Sequence, residues 1–488
     1  MVRTLSLLFL YFLPLGLLAQ VETARLDLSK KDPLPVYVEY SSADGGIVTL
    51  GNMTKRSSRH LGLKKYDADF EQQWTKQVLT QNGRNHIDFL SVIGDNIYVF
   101  ISEFFSRDRT IKTYYYQYDM DGNAIVEKKL VAELPNVKQQ RVDLKYVRSM
   151  NKRRLLAFKI LDNAGKPEKI LYYLFDEDGQ DFIPGEIELP YPDDRFKVKK
   201  ILVSNSGQVY LLGKFYAVNR IKSPDDFSFQ IYRYDPGNPN GDQLKVDLGD
   251  LYITDMTFKV DRSDNIFLAG FYSEKSTNAI IGTVFQRVNA ALETEVSTTQ
   301  KFGEEFLSKF LSDRQIDKGR ELRSFYLDNI ILRSDGGCLL IGEKYYTNYN
   351  SYLDIYGYWV DQRVYHYDDI IVNSVNPDGE IEWSGVVEKK QSDETQENLS
   401  YLEVINGSSL YLIYQYDPRR LPRTVYYNEI SMDGEVSRRE TLFGSNSFND
   451  AFFPRFSEQI SNSEALLVYY QERPRTYSII KMDFSQAE

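Results

Sequence analysis

One short pattern recurs along this chain and limits what it can fold into more than any other feature. "ILVSNSGQVYLLGKFY" (201–216), "FKVDRSDNIFLAGFY" (258–272) and "ILRSDGGCLLIGEKYY" (331–346) each pass through an apolar strand and a polar turn. Each then enters a second, more apolar strand carrying a glycine and ending in aromatics. Apolar alternation broken by Gly, Asp, Asn and Ser is the sequence form of a β-hairpin. A third strand follows each copy, then an Asp-rich turn and a fourth strand. Eight such units can be marked, from "VYVEYSSADGGIVTLG" to "PRFSEQISNSEALLVYYQ". Gly213, Gly270 and Gly342 occupy equivalent places, 57 and 72 residues apart, the longer interval holding an insertion near 303–325.

Four-stranded units at this spacing predict an all-β fold, a single β-propeller of eight blades, or seven if the third unit is misread. The last unit offers only three strands, which would leave an open sheet edge. Residues 24–29, "ARLDLS", resemble the fourth strands "QLKVDL" and "GEIEL", so this N-terminal strand is expected to complete the last blade. The competing expectation is a frayed tail. The high count of 37 Tyr and 28 Phe against 3 Trp suits pleated, half-buried surfaces.

Residues 1–19 read as an export signal: Arg3, the apolar run Leu5 to Leu18, then Ala19 before Gln20. The run is short for a membrane span and no stop-transfer pattern follows, so no integral span is expected after cleavage. That places the mature chain, 20–488, in the periplasm or outside the cell, the cell surface included. The single cysteine, Cys338, lies in an apolar strand and reads as a buried, inert thiol. A net charge of −11 argues against nucleic acid as a partner.

Two segments depart from the repeat. "GEEFLSKFLSDRQIDKGRELRSF" (303–325) has Phe306, Leu307, Phe310 and Leu311 at helical spacing and predicts a short helix on the ring. The Tyr-rich stretch 346–369 lies between second and third strands and predicts an extended hairpin. The region 322–415, through "SDGGCLLIGEKYY", "VYHYDDIIVNSVNPDGEIEW" and "KKQSDETQENLSYLEVINGSSLYLIY", resembles a recurrent pattern in exported β-propeller-like proteins of Bacteroidota with no assigned function. The resemblance implies an exported β fold and carries no catalytic residue with it.

The turns "DMDG" (119–122), "DEDGQD" (176–181), "NPDG" (376–379) and "SMDG" (431–434) could suggest calcium loops, and Asp176, Asp178 and Asp181 come nearest in spacing. Asp-Gly between strands is the ordinary hairpin signal, and turn chemistry is the stronger reading. His60, His86 and His366 fall in separate places and assemble no metal site, and no nucleophile elbow, P-loop or dinucleotide fingerprint occurs. No metal, cofactor or catalytic residue is assigned.

Strand alternation sends second-to-third loops and between-blade links to one end of the ring. That end collects the long insertions and two sets of side chains favoured in binding sites. Tyr349, Tyr352, Tyr356, Tyr358 and Trp359 form the aromatic set; Arg107, Arg109, Arg419, Arg420, Arg473 and Arg475 form the basic one. The expected function is a non-enzymatic binding scaffold outside the cytoplasm, engaging a protein or a glycan through this face. The alternative is a carbohydrate-active enzyme with carboxylates in the funnel, which a buried carboxylate pair with one raised pKa would mark.

Overall fold

The computed structural model describes residues 21–485 except 30–34, 43, 54–59, 81–84, 136–143, 162–164, 176–181, 222–225, 237, 239, 247–250, 277, 354–357, 417–423, 445–449 and 474. Residues 1–19, which the sequence predicts as an export signal, and Asp176, Asp178, Asp181, Tyr356, Arg419 and Arg420 lie outside the described residues. Eight antiparallel sheets of four principal strands follow one another as blades of a β-propeller. Blades 1 to 7 run in chain order over 35–80, 85–135, 145–192, 196–245, 252–301, 325–387 and 402–443. We letter the strands of each blade A to D, from the axis outward.

Blade 8 takes its outer strand from the other end of the chain. Its C strand, Thr476–Asp483, pairs on one side with Glu464–Gln471 and on the other with Val21–Ser29. Leu26 lies opposite Ile479 and Leu28 opposite Tyr477. Asp27 fastens the pair, accepting hydrogen bonds from Ser478 Oγ (2.6 Å) and Arg25 Nε (2.8 Å). The expected closure is therefore present, and it begins three residues earlier than the "ARLDLS" segment.

A separate apolar cluster fills each of the eight seams between neighbouring blades, so the core is a ring of sheet-to-sheet layers. The seam between blades 8 and 1 holds Ala24, Leu28, Ile47, Tyr66, Phe70, Leu466 and Ile479. Cys338 sits fully buried in the seam between blades 5 and 6, and burial pushes its thiol up to about 12.

The repeated glycine has a local cause. In blades 1, 2, 4, 5 and 6 the register of the A strand slips by one residue against the B strand, a β-bulge. Gly213, opposite Val198, borders this bulge, and Gly270, opposite Met256, lies one pair beyond it. A Cβ on Gly213 would lie 2.1 Å from the Phe196 ring, and one on Gly270 would lie 2.2 Å from the Asp255 carbonyl oxygen. A side chain at either place would collide, with an aromatic ring in the first and with the neighbouring strand's backbone in the second.

The Asp-Gly turns also stitch neighbouring blades. Trp74, on the D strand of blade 1, donates from Nε1 to Met120 O (2.9 Å) in the turn of blade 2. Trp383 of blade 6 donates to Met432 O (2.8 Å) in blade 7, with its indole against Gly434. Gly122 and Gly434 have φ of +81° and +84°, the left-handed conformation such turns require. Within the first turn Asp119 accepts from Asn123 N (2.7 Å) and Nδ2 (2.9 Å), which holds its carboxyl below the usual range. These are turn-capping duties.

The helical insertion forms two single turns, Glu304–Ser308 and Asp313–Asp317, where one helix was expected. Ser312 and Gln315 make a capping box that restarts the helix and breaks the run. Phe306 and Leu307 enter the core between blades 5 and 6. Among the described residues no helix is long and apolar enough to cross a membrane.

Candidate binding face

The insertion in blade 6 is the extended hairpin that its pattern predicts. Cys338–Leu353 and Trp359–Val375 pair, with one irregularity between Glu343 and Tyr345, out to Leu353 opposite Trp359, well past the ends of strands A and D. Tyrosine favours a pleated strand, and the intervening Asn, Ser and Thr keep both faces wet. The outer part is held by cross-strand pairs. Tyr345 packs on Tyr367 at 4.8 Å between ring centroids, and Tyr346 stacks on His366 at 4.5 Å. The Arg363 guanidinium lies 5.2 Å from the Tyr349 ring and donates from Nε to its hydroxyl at 3.1 Å. Ser351 Oγ donates to Asp361 at 2.5 Å.

Three of the sequence-predicted aromatics crown this arm: Tyr349 is 59% exposed, Tyr358 71% and Trp359 72%. Tyr352 lies on the same strand, opposite Val360. Arg107 and Arg109 occupy the B–C turn of blade 2, and Arg473 and Arg475 that of blade 8; all four are exposed. The described residues thus share one end of the ring but do not form one patch. Blade 2 is four blades from blade 6, across the ring, and blade 8 is two blades away. Strand alternation specifies the end of the ring; it cannot specify the blade-to-blade distance.

Beneath the arm lies a buried polar network. Lys389 forms an ion pair with Glu343 and donates to Gln391 Oε1 (2.8 Å) and Tyr367 O (3.0 Å). Ser400 Oγ donates to Glu343 at 2.7 Å, and Gln391 Nε2 donates to Gln415 O at 2.6 Å, tying blade 6 to blade 7. Desolvation raises the Glu343 carboxyl and lowers the Lys389 ammonium, while each partner's charge pulls the other way. Ser400 is held at φ +78° by its contacts to Glu343 and Gln391, so the hairpin root is rigidly braced.

The A strands make a charged inner wall. Glu39 of blade 1 pairs with Arg148 of blade 3 at 2.5 Å. Lys199 pairs with Asp255, and Lys200 donates to Thr257 Oγ1 and Phe258 O, both at 3.0 Å. Burial pushes Lys199 down to about 7 and Lys200 to about 8, with neighbouring lysines adding to both. Burial lifts Glu39 to about 7 against the pull of Arg148, and Glu458 adds a smaller push. Glu39 and Glu458 border a cavity of about 450 Å³ at the closure seam, walled by Leu28, Phe453, Val468 and Tyr477.

No protein-family model matches the chain, and no curated protein matches it. Among solved structures it is similar to the β-propeller domain of the trilobed protease from Pyrococcus furiosus, at 10% identity over 86% of this chain and 98% of that one, TM-score 0.37. It is similar to puromycin hydrolase at 10% identity over 90% and 58% of the two chains, TM-score 0.36. It is also similar to an α-L-arabinanase of Penicillium chrysogenum at 12% identity over 76% and 98%, TM-score 0.28. No activity passes to this chain from likenesses at that level, and the propeller rests on its own strand pairing.

Sequence reading missed the groups around the arm's root: buried Glu343, Lys389 and Asp368, and half-buried Tyr416. One signal was available. "YHYDDIIV" places two adjacent aspartates inside a strand that must cross the core, where at least one carboxylate has to be buried.

Proposed function

We propose that this chain is exported and works outside the cytoplasm as a binding scaffold, with the hairpin of blade 6 as its docking arm for a protein partner. The observation that carries this reading is the crown of Tyr349, Tyr358 and Trp359 on a braced arm that projects beyond its blade. Tyr and Trp provide large, rigid contact area at low entropic cost, and Asn, Ser and Arg around them supply adaptable hydrogen bonds. The export signal and the resemblance to exported propeller-like proteins of Bacteroidota support the location. The test compares the wild type, Tyr349→Ala/Trp359→Ala and the opposite-end variant Asp121→Asn for retention of extracytoplasmic host proteins. A protein retained by wild type and Asp121→Asn, and lost from the tip variant at unchanged melting temperature, is expected. Equal retention by all three overturns the assignment.

A second reading, hydrolysis of a glycan, draws on one observation: Glu39 lifted to about 7 beside Glu458 at a cavity. A carboxyl at that value could serve as a general acid. The Arg148 guanidinium already occupies Glu39, which makes this the weaker reading. Aryl-glycoside turnover that disappears in Glu39→Gln would reverse the order.

A further inference from the structure

At the root of the arm, on the same end of the ring, a second cavity of about 510 Å³ opens between blade 6, blade 7 and the helical insertion. Asp368 lines it. This residue is only 9% exposed, and its Oδ1 meets no hydrogen-bond donor among the described residues. A buried carboxylate oxygen without a donor is costly, so it marks a place where a donor from outside would be favourable. The nearby ammonium does not serve, because Lys389 Nζ is already engaged by Glu343, Gln391 and the Tyr367 carbonyl. Asp369 adds a second carboxylate to the same wall.

The remaining walls select the chemistry. Tyr346 is fixed by its stack on His366, and Tyr416 by the Arg439 guanidinium 3.8 Å from its ring. Both present pre-oriented aromatic surface. Exposed Lys309 and Lys390 stand at the cavity, and Glu388 adds a third carboxylate. A cationic ligand would face the two exposed lysines there, and an anionic one would face the two aspartates and Glu388. A neutral polyhydroxylated ring suits both: its hydroxyls donate to carboxylates, its oxygens accept from ammoniums, and its C–H face lies on a tyrosine. The volume falls in the usual range of small-molecule sites.

We propose that this cavity binds a neutral saccharide residue, with hydroxyls donating to Asp368 and Asp369 and the sugar face against Tyr346. The site is separate from the crown of the arm and does not depend on it. The test titrates the mature chain with cellobiose, maltose, xylobiose and mannobiose at up to about 10 mM, with putrescine and glucuronate as cationic and anionic controls. At least one disaccharide should saturate the site, and Asp368→Asn should weaken it roughly tenfold or more. Tyr346→Leu should weaken the same titration, and Trp359→Ala should leave it unchanged. Because Tyr346 is only half-buried, its variant decides the matter if Asp368→Asn melts early. No saturable disaccharide, binding by a control alone, or a titration indifferent to both variants overturns the site. A loss confined to Trp359→Ala would do so too, while leaving the docking arm intact.

Discussion

Closure of the ring by its first strand can be tested at one side chain. Leu28 is buried in the seam between blades 8 and 1, on the strand that pairs with Thr476–Asp483. Truncating a buried leucine to alanine costs about 2–5 kcal/mol, the upper values belonging to sites packed on every side. Leu28 also borders the 450 Å³ seam cavity, so part of its surface meets a void already. Leu28→Ala should therefore fall near the lower end, about 2–3 kcal/mol. Leu130, on the outer strand of blade 2, is exposed, and Leu130→Ala should stay within about 0.5 kcal/mol. Urea midpoints give the totals, and hydrogen exchange locates the loss. Thr476–Asp483 should lose amide protection first, most of all at the amides that face Val21–Ser29 when residues 21–29 are deleted, while blades 3 to 5 keep theirs. Equal midpoints for the two variants, or unchanged protection of Thr476–Asp483 after the deletion, would refute closure as a source of stability.

Other outcomes follow from single contacts. Gly434→Ala should cost more than Gly407→Ala in thermal melts: both have positive φ, worth about 1–2 kcal/mol for an alanine, but only the first would drive a Cβ to 2.5 Å from Trp383. Cys338, its thiol pushed up to about 12 by burial, should react slowly with a thiol reagent in the native state and quickly in denaturant. Glu39 has its carboxyl raised from the ordinary 4.5 to about 7, so the native state holds a proton there that the unfolded chain has released. Its favourable contribution is full below about 4.5 and lost as pH rises through 7; Glu39→Gln should flatten the pH dependence of the urea midpoint across that window.

The architecture was legible in the chain because each blade is written locally. Apolar alternation, turn residues and the recurrent glycine lie within stretches short enough to be read one at a time. The closing strand was legible for a related reason: a three-stranded last unit needs a partner, and "ARLDLS" carries the pattern of a fourth strand. The arm of blade 6 followed from the length of one tyrosine-rich insertion. Relations between blades were decided only by the tertiary structure. That Arg107 faces blade 6 from across the ring depends on how many blades close it, which no single unit encodes. That Gly213 leaves room for the Phe196 ring and Gly270 for the Asp255 carbonyl, and that Trp74 and Trp383 reach the turn of the next blade, depends on how adjacent strands and blades meet. The burial of Asp368 beside a cavity depends on three elements far apart in the chain arriving at the root of one hairpin. Local periodicity can specify a strand and its faces, whereas the surroundings of a polar side chain are set by whichever neighbours the closed ring brings to it.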